Sequence, residues 1–187
     1  MAEYPGSTSR DYTFVTGSGA SAKGSLVEIA AVSGQHHCIQ RCDFSYSGDG
    51  SGSVTFSKFK TTLDDPSNDV GTTTAALVVD DVTGLSVGDT IIIHKASDDT
   101  SEFVPITAIN TSAKTLTVTR AAVDAAVDPA DGDRIIRVDY MLYVTGGGAG
   151  PLIGNDAPLF IGNKGEALSI WLEEIADTAS RLNVLYY

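Results

Sequence analysis

The stretch "QHHCIQRC" gathers His36, His37, Cys38 and Cys42, and each of the four can ligate zinc. A structural zinc site closes with four ligands, and no second cluster supplies the remainder at finger-like spacing. In an extended chain His36 and His37 also point to opposite faces. Alternation puts Cys38, Cys42, Phe44 and Tyr46 on one face, the pattern of a core stripe, so no metal is expected. These are the only two cysteines. Four residues apart on a strand they are separated by about 13 Å, whereas a disulfide spans about 4.4–6.8 Å between Cα atoms. Reduced, buried thiols of a protein made in a cytosol are the expectation.

Nucleophilic catalysis needs a serine or cysteine, a histidine to activate it and a third group to orient that histidine. The histidines are His36, His37 and His94. His94 follows three isoleucines and is expected at a strand end facing solvent, and no Gly-x-Ser-x-Gly elbow occurs. The glycine-rich "GSGASAKG" lacks the dinucleotide-binding spacing, and "GNKG" lacks the Ser or Thr that follows the lysine of a phosphate loop. Both read as linkers. Asp64 with Asp65, Asp80 with Asp81 and Asp98 with Asp99 stand in turn-like segments, where aspartate serves by accepting backbone hydrogen bonds. "DPADGD" lacks the terminal glutamate of a calcium loop. No catalytic, cofactor-binding or metal residue is predicted, and the chain is not expected to be an enzyme.

The elements that carry these residues read as strands. Leu116 and Val118 in "TLTVTRA", Ile136 to Val144 in "RIIRVDYMLYV", and Leu182, Val184 and Tyr186 in "RLNVLYY" each alternate with polar neighbours. Breakers such as "SGDGSGS", "DDPSND", "GGGAGP" and "IGNKG" separate them. One segment fits two periods. In "GEALSIWLEEIADTA", Leu168, Trp171, Leu172 and Ile175 have helical spacing, while Leu168, Ile170 and Leu172 alternate. The strand is preferred here, with a turn near Asp177 to Ser180 and a hairpin onto "RLNVLYY".

With 187 residues, 12 Lys plus Arg against 24 Asp plus Glu and a net charge of −12, the chain repels nucleic acids and anionic membrane surfaces, and neither is an expected partner. A hydrophobic share of 42% exceeds that of a disordered acidic chain. "MAEYPGSTSRDYTF" shows no basic segment leading into an apolar one. Composition divides the chain into an N-terminal arm at 1–23, whose order would come from a neighbour, a sandwich body at 24–62 and 138–187, and a small barrel at 63–137 inserted between its halves.

"LVVDDVTGLSVGDTIII", "FVPITAINTSAKTLTVTRAA" and "PADGDRI" together resemble a small β-barrel module that recurs in structural proteins of tailed bacteriophages. The resemblance rests on a Gly-x-x-x-Gly-Asp turn at Gly84, Gly88 and Asp89, an Arg-Ala step at Arg120 and Ala121, and a Gly-Asp turn at Gly132 and Asp133. The flanking part, ending "NKGEALSIWLEEIADTASRLNVLYY", is similar in style to phage head decoration, or cement, proteins. The resemblance implies an all-β fold: a jelly-roll-like β-sandwich with an inserted small β-barrel and an extended N-terminal arm. It also implies a virion structural protein on the capsid exterior that bridges neighbouring copies of the major capsid protein, as a homotrimer whose terminal strand "NVLYY" forms a subunit interface. The alternative is a receptor- or glycan-binding knob, with Tyr143, Trp171 or Tyr187 as stacking residues. If the barrel is self-contained, its core includes Ile92 or Ile93, and its removal spares the body.

Overall fold

A computed structural model describes residues 13–19, 24–48, 51–64, 74–97, 100–120, 130–145, 149–154, 157–173, 175 and 179–187. Among them every regular element is a strand. In chain order these begin with β1 (Thr13–Gly19), β2 (Ser25–Ile29), β3 (Cys38–Tyr46) and β4 (Ser51–Ser57). There follow β5 (Lys60–Thr62), β6 (Thr74–Val78), β7 (Thr90–Lys95), β8 (Thr100–Asn110), β9 (Thr115–Thr119) and β10 (Arg134–Arg137). The chain ends with β11 (Tyr140–Thr145), β12 (Ala149–Ile153), β13 (Phe160–Ile161), β14 (Leu168–Leu172) and β15 (Ser180–Tyr186).

Two antiparallel sheets make the body. One has the order β1-β15-β3-β12, with β13 beside β3 in line with β12, and the other has the order β11-β4-β14-β2. With β12 and β13 taken as one interrupted strand, the body has eight strands, and each crosses to the opposite sheet except at the step from β4 to β11. This is the jelly-roll connection. The remaining six strands occupy that one uncrossed step. Tyr140 pairs with Phe56, so the chain leaves and re-enters the sheet at adjacent positions. Inward-facing Val27, Ile29, Cys42, Val54, Phe56, Ile170, Leu172, Leu182 and Val184 form the core between the sheets.

The inserted strands run in the order β5-β10-β7-β8-β9-β6. The two ends of this sheet meet where Leu63 bridges Val79, reinforced by Asp64 N–H donating to Val78 O and Asp80 N–H to Thr62 O. The sheet thereby closes into a small barrel around Leu77, Ile91, Ile93, Val104, Leu116, Val118 and Ile135. Its turns use the glycines as the sequence suggests. Gly84 and Gly88 have φ of 90° and 95°, a region in which a side chain is strained. The Asp89 carboxylate accepts the Ser86 N–H at 2.8 Å, and that of Asp133 accepts the N–H groups of Ala96 and Ala130. Arg120 is buried and grips Glu102 through Nε and Nη2. Ala121 lies outside the described residues.

Several expectations are corrected by this topology. Residues 13–19, read as part of the arm, form β1 and pair along their whole length with β15; residues 1–12 lie outside the described residues. The segment at 168–172 is a strand, but it pairs with β2 and β4 rather than with β15. Strand β15 lies between β1 and β3, so "NVLYY" is an interior strand of its sheet and not an open edge awaiting a subunit.

Cys38 departs from its stripe for a local reason. Pairing of β15 with β3 passes from Leu185 opposite Arg41 to Tyr186 opposite Ile39, leaving Gln40 as an extra residue in a β-bulge. The bulge reverses the alternation, so Ile39 and Cys42 both enter the core and Cys38 does not.

Candidate interaction surfaces

The three consecutive isoleucines of β7 are buried on both faces of their strand. Ile91 and Ile93 point into the barrel. Ile92 points the other way, meeting Ile136 and Trp171 in a separate cluster with Leu26, Phe103 and Val138 packed around it. Leu26 and Trp171 are cross-strand partners on the outer face of the β11-β4-β14-β2 sheet, so the barrel sits on that face. His94 lies one alternation beyond Ile92 and is buried, with its ring edge-on to Trp171 at 4.7 Å. The strand-end, solvent-facing position expected for it is therefore wrong, because the sheet beneath covers it. Gly24 is pressed so close to the indole that a Cβ there would fall 2.2 Å from it.

Charged residues ring this seam. Glu28 of β2 holds Lys60 of β5 at 2.7 Å and Arg134 of β10 at 3.2 Å. Burial raises the Glu28 pKa, but Lys60 and Arg134 together more than offset it, so the carboxyl ionises below its usual range. Arg137 pairs with Asp139 at 2.7 Å, donates to the Gly84 carbonyl and lies over the Phe59 ring. Between barrel and body a cavity of about 240 Å³ remains, lined by Ser18, Leu26, Glu28, His94 and Arg134.

The opposite side of the body mixes polar pairs with apolar groups, Leu185 and Ile153 flanking Arg41 in register. On the outer face of the β1-β15-β3-β12 sheet, Thr16 donates to Asn183 at 2.9 Å, and Arg41 pairs with Asp43 at 2.6 Å. The third region is lateral, along β11, β12 and β13. Among the described residues, Tyr143 (77% exposed), Tyr140 (43%), Ile153 (49%) and Ile161 (46%) bring large apolar groups to solvent along this side, as Val32 and Val87 do on loops elsewhere. The Tyr140 and Phe160 rings are nearly parallel, 12° apart with centroids at 6.4 Å, and both lean on the buried Phe56. The Lys58 ammonium stands 5.2 Å above the Phe160 ring. With Asp139, Pro158 and Ile161 these residues line a groove of about 390 Å³.

The residues singled out for chemistry are dispersed into structural roles. His36 donates through Nδ1 to the Gly162 carbonyl, and His37 through Nε2 to that of Ala30, so each staples one loop to another. Cys42 is buried, and burial with help from Asp43 pushes its thiol up to about 12. Asp80 accepts the Thr62 hydroxyl. Asp81 accepts the Thr83 N–H, which holds its carboxyl below the usual range. Asp65, Asp98 and Asp99 lie outside the described residues. No group of three or more His, Cys, Asp or Glu among the described residues is placed to hold a metal ion. Trp171 is fully buried and unavailable for stacking on a ligand, whereas Tyr143 is open. The Tyr140 and Phe160 platform was missed from the sequence because its two rings come from different sheets.

No family model matches the chain, and no curated protein matches it. Two solved chains are similar to it. One comes from the VP16-VP17 complex, a complex of the two major capsid proteins of bacteriophage P23-77. It is 11% identical, and the alignment covers 95% of this chain and 99% of that one at a TM-score of 0.27. The other is VP17, a capsid protein of the same phage. It is 12% identical over 94% of this chain and 97% of that one, also at 0.27. Scores this low do not establish a shared fold; the jelly-roll assignment rests on this chain's own strand order.

Proposed function

We propose that this chain is a virion structural protein of a tailed phage, made in the host cytoplasm, that decorates the capsid exterior and stabilises it by bridging neighbouring major capsid subunits. The observation that carries the reading is the jelly-roll order of the body, an architecture from which viral capsid domains are built. Fold alone does not fix function, so the placement of the parts matters. The barrel occupies the outer face of one sheet, while β1, and with it the point where residues 1–12 join the fold, belongs to the other. The arm and the outer face of that second sheet then address the capsid, and the barrel projects away from it. An arm that orders on binding wraps a large surface, with ordering entropy offsetting part of the contact energy. Three arms on a homotrimer at a three-fold site multiply that attachment without new kinds of contact.

Co-sedimentation with expanded, empty phage capsids tests this directly. The full chain should pellet with capsids and should have a trimer's mass by light scattering. A chain starting at residue 13 should keep its melting temperature and lose most of the binding. Failure of the full chain to pellet would reject the decoration role, and a monomer mass both free and on capsids would reject the trimer.

A further inference from the structure

We infer that the lateral groove between β11 and β13 is a saccharide site, with Tyr140 as its stacking platform. This does not depend on where the protein sits in a virion. The groove combines three features. Tyr140 and Phe160 set two nearly parallel aromatic rings, 12° between planes, across the edges of two sheets, both packed on Phe56. The platform is rigid because Phe56 is fully buried, yet Tyr140 remains 43% exposed. At the rim stand a cation and an anion, Lys58 and Asp139.

Such a surface suits a hexopyranose. The C–H face of the sugar ring covers the tyrosine, removing apolar area from water. Vicinal hydroxyls can do both halves of the polar work, one accepting from the Lys58 ammonium and its neighbour donating to the Asp139 carboxylate. Asp139 is held for this task. Its Oδ1 accepts from Arg137 Nε and its Oδ2 from the Lys58 backbone N–H, which fixes the carboxylate and leaves each oxygen a further lone pair. An extended apolar peptide fits less well, because it would cover the ammonium and the carboxylate without satisfying them. The volume, about 390 Å³, lies within the range of small-ligand sites, about 300–1,000 Å³.

The experiment is saturation-transfer NMR on the full chain with methyl glucoside, methyl galactoside, methyl mannoside and N-acetylglucosamine, each at millimolar concentration. Saturation should pass to the ring protons of at least one of the four. Tyr140→Ala should weaken that binding by about tenfold or more, the equivalent of about 1.4 kcal/mol. Lys58→Gln, a surface change that preserves the platform, should weaken it in the same direction, and Tyr143→Ala, on the other face of β11, should leave it unchanged. Absence of transfer to all four sugars would overturn the proposal. So would transfer undiminished in Lys58→Gln and in a folded Tyr140→Ala, or transfer abolished by Tyr143→Ala instead.

Discussion

Cys42 shows how a single side chain reports on its surroundings. In the core between the two sheets its thiol is desolvated, and the neighbouring Asp43 adds to the effect, so its pKa rises from 9.0 to about 12. Between those values the unfolded chain releases the proton and the folded chain keeps it, so stability falls as pH rises through that window and is unaffected by this group below it. A pH series of chemical denaturation should show this alkaline slope, and Cys42→Ala should remove it. In the native protein near neutral pH, iodoacetamide should alkylate the half-buried Cys38 well before Cys42; equal rates would mean that the core opens freely. The sequence reading of unbridged thiols is right for both cysteines, while full burial holds for Cys42 and not for Cys38. The Gln40 bulge separates them, and it is held from 114 residues away, where the Gln40 side chain donates to the Gly154 carbonyl. Nothing local in "IQRC" could announce it.

At the scale of elements, β7 and β14 explain each other. A strand buried on one face alternates, whereas a strand buried on both reads as an unbroken apolar run. "TIIIHK" is such a run because the barrel core takes Ile91 and Ile93 while the body takes Ile92. "LSIWL" is buried at all five positions, with Leu168, Ile170 and Leu172 inside the jelly roll and Trp171 under the barrel. The helical spacing of Leu168, Trp171 and Leu172 is thus a by-product of two burial surfaces on one strand. Alternating β9 and β15 were legible because each buries one face. The two faces of β7 should fail differently. Ile93→Asp places an unpaired charge in the barrel core and should unfold the barrel, seen in hydrogen exchange as loss of protection across β7 and β8. Ile92→Asp should loosen the seam, so that amides of β2 and β14 lose protection while the β7 to β8 pairing is retained. Identical exchange patterns for the two variants would contradict a seam distinct from the barrel core.

For the whole molecule the seam decides whether barrel and body are separable. Composition places the start of the insertion late, since β5 (Lys60–Thr62), read as body, pairs with β10 in the barrel sheet and the threonine and aspartate stretch begins within that strand; composition also does not reveal the contact between the parts. Trp171 is fully buried against the barrel. A tryptophan hides about 150–250 Å², which at about 25 cal/mol per Å² corresponds to about 4–6 kcal/mol withheld from water, before Leu26 and the Glu28 ion pairs are considered. Closing the gap with a short glycine-serine loop costs little more than any other loop, so chain connectivity is not the obstacle. The obstacle is the uncovered face. Replacing residues 60–137 by such a loop should therefore give a body that aggregates or melts well below the full protein, contrary to the independence expected from sequence. Adding Trp171→Thr and Leu26→Thr to the same deletion should restore solubility and a cooperative melt, because the outer face of β14 and β2 then resembles an ordinary solvated sheet. If the simple deletion is soluble and melts where the full chain does, the seam contributes nothing and the barrel is a detachable module; if even the polar double variant fails to fold, the barrel is part of the folding unit of the jelly roll itself.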